Sequence, residues 1–250
     1  MLRKLVQYLT NLGSPRRFYY LCGRIWPCAL IISLFALGYG AVGGLWLAPP
    51  DAQQGETFRI IYVHVPCAFL SMMLYVAVAI GSAVYLIWRI KIAQIVAFCA
   101  APIGAFFTIC ALITGSIWGK PMWGTWWIWD ARLTSELILL FIYIGYMGLN
   151  HAINNPKSAA KISSIFAIMG MIDIPIIHYS VYWWNTLHQG ATITRWGKPA
   201  IEMSMLIPLL SMLLGFTLYT VCLICIRIRS EILEREKSKY WVAALVKKEA

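Results

Sequence analysis

Charged residues are scarce in this chain of 250 residues: only 12% are Asp, Glu, Lys or Arg, whereas 60% are hydrophobic. Soluble domains typically have about a quarter of their residues charged, so this composition is that of a membrane protein. The formal net charge of +11 does not indicate nucleic-acid binding, because the basic residues lie at the ends of apolar runs. The composition therefore excludes an ordinary soluble domain and predicts a protein embedded in lipid.

Several motifs of enzymes and carriers are also absent. There is no GxxxxGK[ST] stretch, which excludes ATP binding of the P-loop type, and no CxxCH, so the chain is not itself a c-type cytochrome. No nucleophile and base stand in a recognisable arrangement, and no repeats are present. The seven cysteines form no disulfide framework, and the CxxC of Cys222 and Cys225 has neither a second pair nor a histidine with it. We interpret the cysteines as buried apolar residues, and we predict no enzymatic activity.

What the chain has instead is six long apolar runs, each close to the length that a helix needs to cross a bilayer. We predict an all-α membrane protein, a bundle of six transmembrane helices at 25–47, 65–88, 92–118, 133–153, 162–184 and 203–226. The basic leader 1–24 precedes a run that is too long for a signal peptide, so we keep that run as an anchor. The predicted organisation is a cytoplasmic segment 1–24, a membrane domain 25–228 and a cytoplasmic charged tail 229–250.

The distribution of Lys and Arg predicts the orientation. If both termini lie on one side, that side holds sixteen of these residues and the other side holds five. The positive-inside rule then makes the termini cytoplasmic. Three loops face the opposite side, which in a Gram-negative bacterium is the periplasm.

One of these loops is unusually rich in tryptophan. The stretch 118–130 holds five tryptophans in thirteen residues. Gly119, Pro121 and Gly124 are expected to prevent an ordinary helix across its first half, which predicts a stiff loop. Its indoles suit a large, flat apolar ligand, but an aromatic belt at the membrane interface would have the same composition.

The order of residues bears on this choice. The pattern Trp123-Gly124-x-x-Trp127-x-Trp129-Asp130 resembles the tryptophan-rich signature of haem-handling proteins in c-type cytochrome biogenesis. The flanking stretches 62–66 (YVHVP) and 183–190 (WWNTLHQG) resemble the histidine loops of one such family, the haem exporter protein C (CcmC) family. Three motifs in this order between spans are a specific resemblance, and it covers nearly the whole chain.

The resemblance implies that His64 and His188 bind one haem iron from opposite faces. His64 is expected just before the second span, with Pro66 opening that helix. The tryptophans of the haem site would be Trp118, Trp123, Trp126, Trp127 and Trp129. Asp130 belongs to the motif, although capping of the fourth span could be its whole role. Arg59, Lys120, Arg132 and Arg195 are the outer cations available for the haem propionates, with Arg132 the first choice.

Other polar residues of the spans receive structural roles. His178, about one and a half turns inside the fifth span, is expected to form hydrogen bonds within the bundle or to support a ligand. Glu136 is expected to pair with Arg132 at i,i+4. Asp173 lies near the middle of the fifth span, where a carboxylate is costly, and the sequence offers no partner for it.

The resemblance implies a protein of the bacterial inner membrane that holds haem b (iron protoporphyrin IX) at the periplasmic face. It would deliver haem to the chaperone CcmE within an ABC-type complex with the small subunit CcmD, the permease CcmB and the ATPase CcmA. Membrane lipid is the other expected partner. Two alternatives stay open: a bis-histidine electron carrier of the cytochrome b type, and a haem-free transporter or scaffold subunit.

Overall fold

The computed structural model describes residues 13–184, 186–188 and 201–249, and their regular structure is helical apart from one isolated bridge between Asp51 and Gly55. A π-helical turn (Gly43–Leu47) extends the first helix, and a 3-10 turn (Glu56–Ile60) leads into the second. The α-helices are α1 (Pro15–Val42), α2 (Ile61–Trp88), α3 (Lys91–Trp123), α4 (Ala131–Ala152), α5 (Pro156–Gly170), α6 (Asp173–Trp183), α7 (Met203–Arg235) and α8 (Tyr240–Glu249).

Six helical segments are long and apolar enough to cross a membrane, which confirms the predicted all-α fold with six spans. The fifth span differs from the prediction because it consists of two helices, α5 and α6, separated at Met171 and Ile172. Pro175 explains the break, because it has no N–H to donate to the carbonyl of Met171 and its ring would clash with that carbonyl. Asp173 therefore begins a new helix in the interior of the bundle.

The second span begins earlier than predicted. The turn Glu56–Ile60 runs directly into α2, so Pro66 lies inside this helix and does not open it. His64 consequently belongs to a membrane-spanning helix, and its predicted position in a loop before the span was wrong. A residue within a helix has its backbone held by hydrogen bonds on both sides, so His64 is more firmly placed than a loop residue would be.

The tryptophan segment is also more helical than predicted. The helix α3 continues through Gly119 and Pro121 to Trp123, so the expectation that these residues prevent a helix was wrong. Gly119 serves close packing instead, since a Cβ there would lie 2.9 Å from Cε3 of Trp123. Gly124, with φ of 77°, provides the left-handed residue that ends α3. Only the second half of the segment, from Gly124 to Asp130, is a loop.

Two pairs of helices form the body of the bundle: α1 packs along α7, and α2 packs along α3. A central core of apolar residues and fully buried tyrosines lies between α2, α3, α4 and the two halves of the fifth span. The helix α4 directly follows the tryptophan segment and contacts α3, α5 and α6. It therefore links that segment to the middle of the bundle.

The two ends of the bundle have different contacts. At one end, which we call the tryptophan end, Trp118 Nε1 donates to Gln54 Oε1 at 2.9 Å. At the other, the tail end, Arg229 Nη2 donates to the hydroxyl of Tyr19 at 2.9 Å. Arg235 Nη1 donates to Gln94 Oε1 at 2.6 Å, also at the tail end. The two ends of the described chain therefore lie together, opposite the tryptophan segment.

Candidate functional site

His64 lies against α3 at the tryptophan end. Its Nδ1 is 3.0 Å from Thr114 Oγ1, and its ring packs edge to face on Trp118, with the ring centroids 5.6 Å apart. The Thr114 hydroxyl donates its single hydrogen to the carbonyl of Cys110 at 2.6 Å. It can therefore only accept from His64, which places the ring proton on Nδ1 and leaves Nε2 with a free lone pair.

His188 has the same kind of anchor from a different residue. Its Nδ1 is 2.8 Å from Asp130 Oδ2, and the carboxylate also accepts a hydrogen bond from the Thr186 hydroxyl. A carboxylate can only accept, so the proton of the neutral ring lies on Nδ1 here too. Trp123 packs against this ring with centroids 4.7 Å apart. Both histidines thus have Nδ1 occupied, and neither Nε2 has a hydrogen bond to the described residues.

Asp130 has two roles at once. Its Oδ1 accepts from the Leu133 N–H at 2.8 Å, so the predicted N-cap of the fourth span is confirmed. Its Oδ2 holds His188, a contact that spans 58 residues of sequence. One carboxyl group therefore connects the start of α4 to the loop that follows α6.

The charges at this contact follow from the surroundings of the two groups. Burial by itself would raise the pKa of Asp130, but the donors around it outweigh burial and hold that pKa below its usual value; they are the Thr186 hydroxyl, the Leu133 N–H and His188. Burial lowers the pKa of His188 below its usual value, and the Asp130 carboxylate offsets only part of that shift. At neutral pH the contact is therefore a hydrogen bond from a neutral imidazole to an ionised carboxylate.

The five tryptophans of the segment differ in their contacts. Trp118 and Trp123 each pack on one histidine, and Trp127 packs on Trp129 with centroids 5.5 Å apart. The Nε1 of Trp127 is buried and has no hydrogen-bond partner among the described residues. Trp126 and Trp129 are 57% and 77% exposed, as an aromatic belt would be. The segment therefore combines inward-packed and surface indoles.

The predicted cations are only partly free. Arg132 Nη1 donates to the Ile177 carbonyl at 3.1 Å, and its positive charge also acts on both histidines. Arg59 Nη1 donates to the Gly44 carbonyl at 2.7 Å and its Nε contacts Glu56. Lys120 caps the end of α3 through the Gly124 carbonyl at 3.0 Å. Arg195 lies outside the described residues. Of the predicted cations that the structure describes, Arg132 is thus the one whose charge acts on both histidines.

Two predictions about neighbouring residues were wrong. Glu136 does not pair with Arg132 but contacts the Ser71 hydroxyl at 2.7 Å, while Arg132 turns to the Ile177 carbonyl. His178 is exposed and its ring packs on Tyr179, and the predicted hydrogen bond within the bundle is absent from the part of the chain that the structure describes. The periodicity of the fifth span could not show this, because the break before Asp173 changes which face turns inward.

A separate cavity of about 450 Å³ lies behind Trp118, between the segment 49–54 and the start of α7. Its lining includes the apolar residues Phe58, Met205 and Leu209 and the acids Asp51 and Glu202. Neither histidine lines it, but Trp118 does, so the cavity adjoins the candidate site.

Comparison with known proteins gives the family. The model of the family described as Heme exporter protein C matches residues 8–243. The chain belongs to the heme exporter protein C family. Three relatives carry that description: those of Haemophilus influenzae, 47% identical over 96% of this chain and 97% of the relative; Escherichia coli K12, 46% over 96% and 97%; and Rhodobacter capsulatus, 40% over 89% and 93%. The resemblance inferred from three short motifs therefore extends along nearly the whole chain.

Some residues of the site are visible only in the structure of this family member. Thr114 and Gln54, which contact His64 and Trp118, belong to no motif. The packing of α2 on α3 places Thr114, and the loop before the turn Glu56–Ile60 places Gln54. Thr186 stands two residues before His188 within the quoted motif, so a short-range turn could have suggested it. Among the described residues no group of three or more His, Cys, Asp or Glu side chains could hold a metal ion.

Proposed function

We propose that this protein binds haem b as its cargo at the tryptophan end of the bundle. Within this proposal, His64 and His188 ligate the iron, the tryptophan segment covers the porphyrin, and haem is delivered to the chaperone CcmE for cytochrome c maturation. Family membership supports the general role in haem export, and the geometry of the site supports the residue assignments. The chain has no ATPase motif, so it acts as a membrane subunit.

The observation that carries this proposal is the matched state of the two histidines. Each Nδ1 is held by an oxygen acceptor, Thr114 Oγ1 for His64 and Asp130 Oδ2 for His188, and neither Nε2 has a hydrogen bond to the residues that the structure describes. Histidines that bind metals are usually oriented in this way, because the second hydrogen bond fixes the tautomer and raises the basicity of the ligating nitrogen. Haem needs only axial ligands from the protein, so two such histidines suffice.

The remaining contacts of haem fit the other side chains. Trp118 and Trp123 pack beside the two imidazoles and offer apolar faces to a porphyrin. The unpartnered Nε1 of Trp127 could donate to a polar group of the ligand. Within the described ranges, Arg132 and Arg59 bond to carbonyls and one glutamate, so a propionate could replace a neutral acceptor with a charged one.

The two proposed ligands are attached to the fold with different firmness. A loosely attached ligand suits a protein that releases its haem. His64 lies within α2, whereas His188 follows the end of α6 and is attached to the body mainly through Asp130 and Trp123. We propose that hand-over begins at His188, because among the described residues it is held by a few contacts with Asp130 and Trp123 and not by a helix. His64 keeps its position throughout.

The partners follow from the same assignment. We propose that the protein works in the bacterial inner membrane with CcmD, CcmB and CcmA, and that the tryptophan end faces the periplasm, where CcmE would receive haem. The excess of Lys and Arg at the opposite end supports this orientation.

A cytochrome b-type electron carrier is the second candidate. Its ligands usually lie within helices that face each other, and the position of His64 in α2 favours it more than the sequence suggested. His188, outside any helix and held by a carboxylate, favours a site that opens. A haem-free scaffold is the third candidate, and the exposure of Trp126 and Trp129 is what it predicts.

The test compares purified protein prepared with and without a CcmE whose haem-accepting residue is blocked. Haem delivery predicts an absorption spectrum of bound haem that increases when the blocked chaperone is co-expressed and that co-purifies with it. An electron carrier would hold the same amount of haem in both preparations. A protein without any haem spectrum in either preparation would leave the scaffold as the remaining function.

The orientation is tested by reporter fusions. Fusions after Gly55, Lys120 and Gly190 should be active as periplasmic reporters, and one after Pro156 should be active only as a cytoplasmic reporter, because an even number of spans separates the first three positions. Alkaline phosphatase and a fluorescent protein are suitable reporters. A cytoplasmic result at Lys120 would place the tryptophan segment in the wrong compartment and end the argument for this site.

Replacing Asp130 by Asn should weaken haem binding without unfolding the protein. The amide keeps the size of the side chain and can still cap α4, but it removes the charge that favours a proton on His188 Nδ1. We expect a loss of about 10–100-fold in haem affinity, as for other residues that orient metal-bound histidines. Haem titration of the purified variant measures it, and affinity equal to that of the unmodified protein would reduce Asp130 to a capping residue.

A further inference from the structure

Two carboxyl groups are buried within the membrane-spanning part of this bundle. Glu136, on α4, is 7% exposed, and Asp173, at the start of α6, is 4% exposed. Oδ2 of Asp173 has no hydrogen-bond partner among the described residues. Ionised carboxylates in such surroundings are costly unless a cation or several donors compensate them, so the partners of each group indicate its charge.

Glu136 has a single hydrogen-bond partner among the described residues, the Ser71 hydroxyl. Ser71 Oγ lies 2.8 Å from the Ala68 carbonyl and 2.7 Å from Glu136 Oε1. The serine hydroxyl has one hydrogen for these two oxygens, and a carbonyl has none to give. Ser71 can donate to an ionised Glu136, or it can donate to Ala68 and accept from a protonated Glu136. One neutral hydroxyl compensates poorly for a full negative charge in this buried position, so the protonated acid is favoured.

The behaviour of Arg132 agrees with this assignment. Arg132 lies one helical turn before Glu136, the spacing at which opposite charges on a helix meet. The guanidinium nevertheless donates to the neutral Ile177 carbonyl at 3.1 Å, and no N–O pair within 4.0 Å joins it to Glu136. A full negative charge in this interior would attract the arginine more strongly than a carbonyl does.

The surroundings of Glu136 contain few other charges. The first residue of α6, Asp173, is a second acid, and Arg132 is the cation one turn away on α4. Helices α3 and α5 carry their lysines only near their ends. The titratable groups on the elements packed around Glu136, besides Arg132, Asp173 and the lysines, are Tyr62, His64, Cys67, Tyr75 and Tyr85 on α2, Cys99 and Cys110 on α3, Tyr143, Tyr146 and His151 on α4 itself, and His178, Tyr179 and Tyr182 on α6.

We propose that Glu136 is a proton-binding site that controls whether Arg132 can bind a carboxylate of haem. This inference rests on the proposed function. With its proton, Glu136 is satisfied by Ser71 and leaves the guanidinium to the ligand. Without the proton, Glu136 is an anion one helical turn from Arg132 on α4. It then draws the guanidinium inward, away from the haem site.

The sign of the linkage follows from competition between two anions for one cation. A propionate on Arg132 makes a second negative charge at Glu136 less favourable, so bound haem favours the protonated acid. Loss of the proton from Glu136 must then weaken haem binding by the same factor, since linkage is reciprocal. Haem is therefore held more tightly at lower pH through this group and is released more readily as pH rises.

The experiment uses the full chain in nanodiscs, with Glu136→Gln as the main variant. Glutamine has the shape of the protonated acid and can donate to Ser71, but it cannot ionise. Infrared spectra of the haem-free protein should contain a protonated-carboxyl C=O band that is missing in E136Q. Haem titrations between about pH 6 and about pH 9 should show affinity falling about fivefold or more in the unmodified protein and staying flat in E136Q.

Asp173→Asn is the matched control, because it removes a buried carboxyl group without touching the Arg132–Glu136 turn. It should still show haem affinity falling as pH rises, over a shifted range because a neighbouring acid is gone. Identical infrared bands in E136Q and the unmodified protein would overturn the protonated state, and equal pH dependence in both would overturn the linkage. If neither bound haem at any pH, the proposed function and the linkage with it would be wrong, while the infrared comparison would still decide whether Glu136 holds a proton.

Discussion

Replacing either His64 or His188 by Gly should remove most of the bound haem, and added imidazole should restore part of it. Each substitution deletes one ring whose Nε2 is free and whose Nδ1 is anchored, so it removes an axial ligand and leaves a space of the size of imidazole. We expect a loss larger than the roughly 10–100-fold that follows removal of an orienting residue. Pyridine haemochrome assays and the position of the Soret band measure the result.

The two variants should differ in how well imidazole rescues them. The His64 position is enclosed by α2 and α3, with Trp118 and Thr114 around it, so a free imidazole would be held in place. The His188 position lies outside the helices. A free imidazole there would still find Asp130 as an acceptor, but no pair of helices would enclose it. Rescue should therefore need less imidazole for His64→Gly than for His188→Gly.

His178→Gly provides the control for these variants. This residue is exposed on α6 and contacts Tyr179, so its loss should change neither haem content nor the response to imidazole. If the His178 variant lost haem and imidazole rescued it, whereas the His188 variant behaved normally, the ligand would be the histidine of the span and not the one in the loop that follows it.

Replacing Trp123, Trp127 and Trp129 together by Ala should leave an inserted protein with very weak haem retention. A half-covered indole buries on the order of 100 Å² and contributes about 2 kcal/mol, so three such losses add to several kcal/mol, or more than about 100-fold in affinity. Trp123 should dominate, because its removal also takes away the ring that packs on His188. Haem titration of the triple variant and of Trp123→Ala measures both effects.

Trp46→Ala is the matched control for the tryptophan variants. Trp46 lies at the end of the π-helical turn that follows α1, is 73% exposed, and is outside the tryptophan segment. If the segment is only an aromatic belt, the triple variant and Trp46→Ala should have the same haem content and differ only in membrane insertion. Unchanged haem in the triple variant would thus favour the belt and contradict the proposed platform.

The class of the protein and its number of spans could be predicted from the sequence because both depend on local, additive quantities. A run of about twenty apolar residues is recognisable wherever it folds, and six such runs became six spans. The boundaries were less predictable. Pro66 was expected to start a helix and Pro121 to prevent one, yet each lies inside a helix. Within a packed bundle, neighbouring helices compensate for the lost backbone hydrogen bond.

The candidate ligands could also be named from the sequence, but their environment could not. The motif containing Asp130 predicted a capping residue, and the fold added its contact with His188. The spacing of Arg132 and Glu136 predicted an ion pair, and the fold replaced it with a contact to Ser71. Helical spacing alone cannot decide this, because a buried acid takes whichever partner the facing helix presents.

The sequence by itself determined the membrane class, the six spans, the family resemblance and the residue types that could bind haem. Only the tertiary structure decided which side chains hold those residues: Thr114 is 50 positions from His64, Asp130 is 58 from His188, and Ser71 is 65 from Glu136. Apolar length and motif order are written along the chain, so they can be read without a fold. Proton positions and charge states depend on donors and acceptors that meet only when the helices pack, so no local pattern contains them.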